Sequence, residues 1–424
     1  MRTELKRPRG TQDILAPESW RVEQLRRLAF DTARQFGFDP LETPAFEQSA
    51  VFLKVGESTD VVQHERYAFT DVGGVSLTLR PEGTAAVARA YVENGLYNAP
   101  QPVRLFYWAP MFRRERPQAL RYRQHTQFGA EMFGVEDPAA DAEVMLLSTR
   151  VVSLAGLTDP VIRVNSLGCH QCRPAYRQAL VAYYRDREPS ICQDCRVRLE
   201  QNPLRLLDCK VDVEARAGAP DIADYWCTAC RAHLDRLMEL VLLAGGIIRR
   251  DSRLVRGFDY YSRTVFEVGH PQLGDATALF GGGRYDGLVE SLDGPNTPGV
   301  GFGIGVERLL SALGGRLPVY SVAGCYVAHQ PGYETEAFAL AERLRQQGLV
   351  CYSDVMGRSL KAQIRDAGRR AGAAVIVGSE AVGPGEVMVR NLATGEQEAM
   401  AGDPLAIAAW YNRKFGTNST AVVR

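Results

Sequence analysis

Three arginines invite a chemical reading. Arg113 closes an apolar, strand-like run, Arg256 sits inside the stretch SRLVRGFDYYSRTVFEV (252–268), and Arg308 follows the glycine-alternating segment PGVGFGIGVERLL (298–310). Guanidinium groups are permanently charged and present a planar fork of donors, so a convergent set of them suits phosphate oxygens and the charge that develops in phosphoryl transfer. One arginine alone favours the reading of a surface or ion-paired residue; three that converge do not. Burying Arg256 among Leu254, Val255, Phe258, Val265 and Phe266 costs free energy unless an anion meets it. The glycine-rich stretches contain neither GxGxxG nor GxxxxGK[ST], which leaves arginines rather than a backbone cradle to hold any nucleotide phosphates. Beside Arg256 lies a Tyr260–Tyr261 pair. If that stretch is a strand, alternation turns at most one of the two rings toward a site, and Tyr261 is the expected one.

Cysteine supplies the second chemical pattern. Six of the nine cysteines form three CxxC pairs, Cys169/Cys172, Cys192/Cys195 and Cys227/Cys230, all within about sixty residues. Two such knuckles twenty-odd residues apart match a four-cysteine zinc ribbon, and the expected set is Cys169, Cys172, Cys192 and Cys195. Three knuckles plus Cys209 give seven thiols, more than one tetrahedral site takes. Reduced thiols without metal are the competing reading. A catalytic metal is not expected there, because the thiols are remote in sequence from the arginines and such sites keep an open position.

The elements that must position these residues are legible in part. Val22, Leu25, Leu28, Thr32 and Phe36 recur at helical spacing within 18–37. VSLTLR (75–80) reads as a strand, PEG as a tight loop, and Thr84 as the N-cap of a helix. RLFYWAPMFRRE (104–115) and RYRQHTQFGAEMFG (121–134) read as two strands joined by a polar loop. Gly299, Gly301, Gly303 and Gly305 alternate along one strand and predict a bare face that a flat ligand can approach. The Cys-rich stretch 168–250 reads as an insertion between strands. After the linker GGRLP (314–318) strands and helices alternate, which predicts an α/β domain with a mixed sheet over 318–424.

At 424 residues the chain is long for one core. With 46% hydrophobic and 24% charged residues it has the composition of a soluble globular protein. No run approaches the roughly 18 apolar residues of a membrane span, and the N-terminal segment lacks a signal-peptide pattern, so a cytoplasmic protein without membrane partners is expected. The net charge is zero, which leaves only local patches as evidence for nucleic acid. One such patch is Arg358, Lys361, Arg365 and Arg369, spaced for one face of a helix, although a charge stripe is usually just solvated.

Several stretches together resemble the class II aminoacyl-tRNA synthetases. FRRE (112–115) is similar to their motif 2, GVGFGIGVERL (299–309) to motif 3, and GFDPLETPAFEQSAVF (37–52), with Pro44, to motif 1. RPEGT (80–84), NSLGC (165–169), LVRGFDYYSRTVFE (254–267) and GGGRYDGL (281–288) resemble the histidyl-tRNA synthetase family in particular. The resemblance spans nearly the whole chain. It implies an α+β fold: an antiparallel catalytic sheet flanked by helices (1–167 and 251–316), the insertion domain (168–250) and a C-terminal α/β anticodon-binding domain (318–424).

It also implies the function: activation of L-histidine with ATP and Mg²⁺, then transfer to tRNA(His), by a homodimer joined through motif 1. On the same basis Arg113 and Arg256 meet the α-phosphate as the catalytic pair, Arg256 also meets the substrate carboxylate, Arg308 meets the γ-phosphate, and Glu115 reaches the adenine. Glu82, Thr84 and Gln127 hold the α-ammonium, while Glu131 and Tyr261, beside Tyr260, pair with the imidazole. A site built to hydrogen-bond a polar ring rejects analogues that lack it by ~10⁴–10⁵. The motif 2 loop, with Arg116 and Gln118, lies near the tRNA acceptor end, and Arg358, Lys361 and Arg365 serve the anticodon side. One departure stands out: where the family has phenylalanine then histidine, this chain has His125 and Thr126, so His125 offers adenine a smaller face. Two other readings are a non-catalytic, histidine-sensing regulatory subunit of ATP phosphoribosyltransferase, which typically lacks the C-terminal domain and the Arg256 motif, and a class II synthetase for another amino acid.

Overall fold

A computed structural model describes residues 5–56, 65–114, 121–209, 211–257, 260–270, 278–317, 320–322, 324–416 and 420–422. The chain divides into two units, Met1–Leu317 and Pro318–Arg424.

The first unit is built on an eight-stranded sheet. Its spatial order is Asp39–Pro40, Val103–Phe112, Gln124–Phe133, Gly299–Gly305, Ala278–Arg284, Ser262–Gly269, Val161–Ser166 and Ile247–Arg250. All pairs are antiparallel except the two at the edges. The long central pair explains why these runs are apolar almost throughout: both faces are covered. Phe106, Phe128, Ala130 and Met132 face a core shared with the helices Glu18–Gln35 and Pro138–Leu154. Leu105, Tyr107, Ala109 and Met111 face a second core with Tyr261, Val265 and Tyr285, and this is the working face.

The backing helix Pro138–Leu154 starts where chemistry says it should. Asp137 accepts from the Ala139 N–H at 2.8 Å and Pro138 fills the first helical position, where a missing N–H costs nothing. Near the helix start, Asp141 is fully buried and ion-paired with the fully buried Arg284; His233 Nε2 lies 3.5 Å from the same carboxylate. Opposed charges in a dry core stabilise only when paired, so the Asp141–Arg284 pair ties the helix to the end of strand Ala278–Arg284, with His233 of helix Thr228–Leu243 packed beside it.

Two expectations are corrected here. The insertion does not stand apart as far as residue 250: Leu234, Leu237 and Val241 of helix Thr228–Leu243 and Ile248 of strand Ile247–Arg250 belong to the sheet's rear core. Amphipathicity reports that a face is buried, not what buries it. The stretch 252–268 is also not one strand; the strand begins at Ser262, and the described residues before it, 252–257 and 260–261, form loop and turn.

The second unit carries a five-stranded mixed sheet in the order Cys351–Ser353, Gly324–His329, Ala371–Val377, Glu386–Asn391, Gln397–Ala401. Helices Glu334–Gln346, Leu360–Arg370 and Pro404–Phe415 pack with it. The last strand, QEAMA, was not legible in the sequence because its residues are mostly exposed and small or charged.

Candidate active site

Glycines decide the shape of the working face. Gly301 pairs with Glu131 and Gly303 with Gln127 across the sheet. A Cβ on Gly301 would overlap the Glu131 carboxylate, and one on Gly303 the Gln127 amide. In the neighbouring strand a Cβ on Gly281 would come 2.7 Å from Arg256 Nη1, and one on Gly283 2.8 Å from the Tyr261 ring. The bare face expected of the alternating glycines therefore exists, but side chains from adjacent segments fill it. Glycine is used there to seat polar groups low against the sheet.

Those groups form one connected cluster. Glu131, fully buried, accepts from Thr84 Oγ1 at 2.7 Å, from the Tyr285 hydroxyl, and from Tyr107 Oη at 3.5 Å. The Gln127 amide donates to Tyr107 Oη at 3.1 Å. Burial, with the nearby Glu82 carboxyl adding to it, pushes Glu131 up to about 8 against the pull of its hydroxyl donors. Glu82 accepts from the backbone N–H groups of Thr84 and Ala85, each at 2.8 Å. It thereby caps helix Thr84–Glu93, while Thr84, expected as the N-cap, is the first helical residue and aims its hydroxyl at Glu131. Burial raises the Glu82 carboxyl too, opposed by those N–H bonds and by Arg113.

Tyr260 and Tyr261 lie in the turn before strand Ser262–Gly269, so strand alternation does not separate them. Their ring centroids are 4.8 Å apart, and Tyr260 packs edge-on against Tyr285 at 5.9 Å. Burial lifts both phenols above their ordinary range, and the Glu82 and Glu131 charges act on both. Both tyrosines thus face the carboxylate pocket.

Arg256 meets an anion supplied by the protein itself. Its Nη1 donates to Glu267 Oε1 at 2.9 Å, and Arg163 Nη2 donates to Oε2 of the same carboxylate at 2.9 Å. The buried Arg256 Nε–H finds no acceptor among the described residues, which leaves a donor for a ligand oxygen. Arg113 Nε donates to the Pro81 carbonyl at 2.8 Å, and Arg308 Nη1 reaches the Ala278 carbonyl at 3.4 Å. His125 feels both: burial first, then the charges of Arg113 and Arg308, press its pKa down to about 3, so the ring is neutral at physiological pH. The arrangement is continuous, from Arg308 and His125 through Arg113, Glu82 and Thr84 to Glu131, the tyrosines and Arg256. It offers cations for an anion at one end and a buried carboxyl ringed by hydroxyls for a polar ligand at the other. Glu115, Arg116 and Gln118 lie outside the described residues.

Family comparison decides the lineage. The family model described as histidyl-tRNA synthetase matches residues 10–182 and 202–309, and that of an anticodon binding domain matches 322–406. The chain belongs to the histidyl-tRNA synthetase family. Its relatives include the histidine–tRNA ligase of Desulforamulus reducens, 44% identical over 400 residues, covering 92% of this chain and 96% of the relative. The Geobacillus thermodenitrificans histidine–tRNA ligase is 45% identical over 401 residues, covering 92% and 94%. The crystal structure of apo Staphylococcus aureus histidyl-tRNA synthetase superposes with a TM-score of 0.81 at 33% identity, covering 96% of this chain and 100% of that one.

Within this histidyl-tRNA synthetase family member, sequence reasoning missed Tyr107, Tyr285 and Glu267. Tyr285 stands inside the quoted GGGRYDGL and Glu267 ends the quoted LVRGFDYYSRTVFE, so the signal was present but unread. Tyr107 was masked by its apolar strand. In the second unit Arg358 precedes helix Leu360–Arg370 and is held by Asp354, by Asp366 at 3.0 Å and by Tyr326 Oη at 3.0 Å. Intramolecular carboxylates therefore occupy it, and the exposed stripe reduces to Lys361, Arg365 and Arg369. The cysteines regroup as well: Cys169 and Cys172 stand with Cys227 and Cys230, whereas Cys192 and Cys195 stand with Cys209 and Asp212. No helix among the described residues is long and apolar enough to cross a membrane.

Proposed function

We propose that the chain is a histidine–tRNA ligase. It activates L-histidine with ATP and transfers histidine to the 3′ end of tRNA(His) in the cytoplasm. The carrying observation is the single polar cluster in which the buried, hydroxyl-ringed Glu131 connects through Glu82 and Arg113 to His125 and Arg308. In the first step an oxygen of the histidine carboxylate attacks the α-phosphorus, the bond to the β-phosphate oxygen breaks, and pyrophosphate leaves. The attacking carboxylate is already ionised, so no protein base is required and rate comes from positioning and charge stabilisation.

Arg113 and Arg256 take the α-phosphate, Arg256 with its free Nε–H also takes the histidine carboxylate, and Arg308 takes the γ-phosphate. Glu267 holds the Arg256 fork in plane. Glu82, Thr84 and Gln127 receive the α-ammonium; Glu131 and the Tyr260–Tyr261 wall receive the imidazole, whose N–H joins the Thr84, Tyr107 and Tyr285 hydroxyls as a donor to Glu131. Glu115 and the neutral His125 ring lie against adenine. Magnesium would accompany ATP as part of the substrate and would supply positive charge to the phosphates; Glu307, whose carboxylate accepts from the Thr126 N–H at 2.8 Å, would offer the hard oxygen ligands such an ion takes.

Arg116 and Gln118 serve the acceptor end of the tRNA, and Lys361 and Arg365 the anticodon side. Two copies pair through the small sheet of Phe46–Gln48, Tyr67–Thr70 and Ser76–Leu79, where Phe46 and Phe69 remain about half exposed. Pyrophosphate exchange into ATP, run with each of the twenty amino acids, tests the reading. Exchange with histidine alone, abolished in Arg256→Ala, is the expected result. Histidine binding without exchange would return the chain to the regulatory class.

A further inference from the structure

Seven cysteines and one aspartate between residues 169 and 230 form two compact groups. In the first, the sulfurs of Cys169, Cys172, Cys227 and Cys230 all lie within 4.8 Å of one another. The Cys169–Cys172, Cys169–Cys227 and Cys172–Cys230 separations are 3.6, 3.9 and 3.7 Å. All four are free thiols. Four thiolates around one zinc at about 2.3 Å define a tetrahedron whose edges are about 3.8 Å. The observed separations are therefore those of a metal site, reached by residues 58 positions apart in the chain.

The local backbone is shaped for it. The Cys169 N–H donates to Cys172 Sγ at 3.1 Å, the kind of donor that stabilises a thiolate. Gly168 has φ +71°, and a Cβ there would come 2.7 Å from Cys172 Sγ, so both the dihedral and the space reserve the position for glycine.

The second group is Cys192, Cys195, Cys209 and Asp212. Cys192 and Cys209 sulfurs are 3.8 Å apart, and Asp212 Oδ2 is 3.5 Å from Cys209 Sγ. The backbone N–H groups of Val211 and Asp212 donate to Cys209 Sγ at 3.4 and 3.3 Å. Three sulfurs and a carboxylate again make a closed, four-ligand set. The surrounding elements between Gln193 and Tyr225 are two short helices and two 3₁₀ segments. Segments this short bury little surface of their own, the situation in which small modules use metals as staples.

We propose that residues 169–230 hold two structural zinc-class ions, one bound by Cys169, Cys172, Cys227 and Cys230, the other by Cys192, Cys195, Cys209 and Asp212. The first knits the end of strand Val161–Ser166 to the start of helix Thr228–Leu243. It also backs the tyrosine turn: the Leu167 N–H donates to the Arg263 carbonyl at 2.6 Å, the Arg263 N–H to the Gly168 carbonyl at 3.0 Å, and Arg173 to the Tyr261 carbonyl. That consequence rests on the proposed role of Tyr260 and Tyr261; the metal content does not.

Elemental mass spectrometry on the full-length protein, purified without chelator under reducing conditions, is expected to give two zinc ions per chain. Cys227→Ser and Cys209→Ser should each lose one. Cobalt-substituted wild type should show thiolate charge-transfer bands and the intense visible bands of tetrahedral coordination, a readout that needs no variant to fold. Absence of metal from the wild type, or cobalt bound without those bands, overturns the proposal. A single ion lost only in Cys227→Ser upholds the first site and overturns the second; one lost only in Cys209→Ser does the reverse. Adenylation activity enters none of these readouts.

Discussion

Glu131 holds its proton to a much higher pH in the folded protein than in an open chain. Its carboxyl titrates near 8 rather than at 4.5, with burial as the leading cause. Between those values the folded state binds more protons than the unfolded one, so unfolding free energy falls as pH rises, by up to about 1.4 kcal/mol per unit. The penalty is complete above about pH 8 and absent below about 4.5. Glu131→Gln removes the titration, and urea unfolding from about pH 5 to 8 should show a shallower pH dependence in that variant. The same substitution is expected to raise KM for histidine in the exchange assay at least tenfold while KM for ATP stays within about twofold. A defect confined to ATP would remove Glu131 from imidazole recognition.

The rear helix Pro138–Leu154 locks onto the sheet through Asp141, and the working face depends on that lock. Arg284 ends its strand and Tyr285, the next residue, donates to Glu131. Arg284 and His233 hold the Asp141 carboxyl down at about 2, although burial opposes them. A depressed carboxylate contributes stability that is present above its unfolded value near 3.8 and is lost as pH falls toward 2. Asp141→Asn leaves Arg284 buried with Asp286, 3.1 Å from Nη1, as its remaining anionic partner among the described residues. Removing one member of a buried pair costs ~3–5 kcal/mol, so we expect a loss of that size in denaturant unfolding at pH 7. A change below about 1 kcal/mol would mean that water or Asp286 compensates the charge.

The whole chain unites an activating unit with one of anticodon-binding type, and its zero net charge leaves attraction for tRNA to local patches. The stripe Lys361, Arg365 and Arg369 lies at i, i+4 and i+8 on helix Leu360–Arg370, whose other side buries Gln363 and Ala367. Replacing all three by alanine should weaken tRNA binding and reduce the slope of log K against log salt by about 2, as expected for three lost phosphate contacts. Histidine-dependent pyrophosphate exchange should be unchanged, because no tRNA takes part in it. An unaltered salt slope would return the stripe to an ordinary solvated surface.

Periodicity in the sequence by itself determined the long central strands and the alternation of the second unit, while the resemblance of its motifs to a known family pointed to the lineage and to most residues of the polar cluster. Each of those is a local property: a strand states its faces in alternate residues, and a motif carries its own spacing. Tertiary structure alone decided which distant segments meet. It gave Arg256 its partner Glu267, placed both tyrosines in a turn where alternation does not apply, filled the glycine face with Glu131 and Gln127, and joined Cys169 and Cys172 to Cys227 and Cys230. The physical reason is that one-dimensional pattern encodes what a residue must bury or pair, whereas sheet order and register select the neighbour that satisfies it.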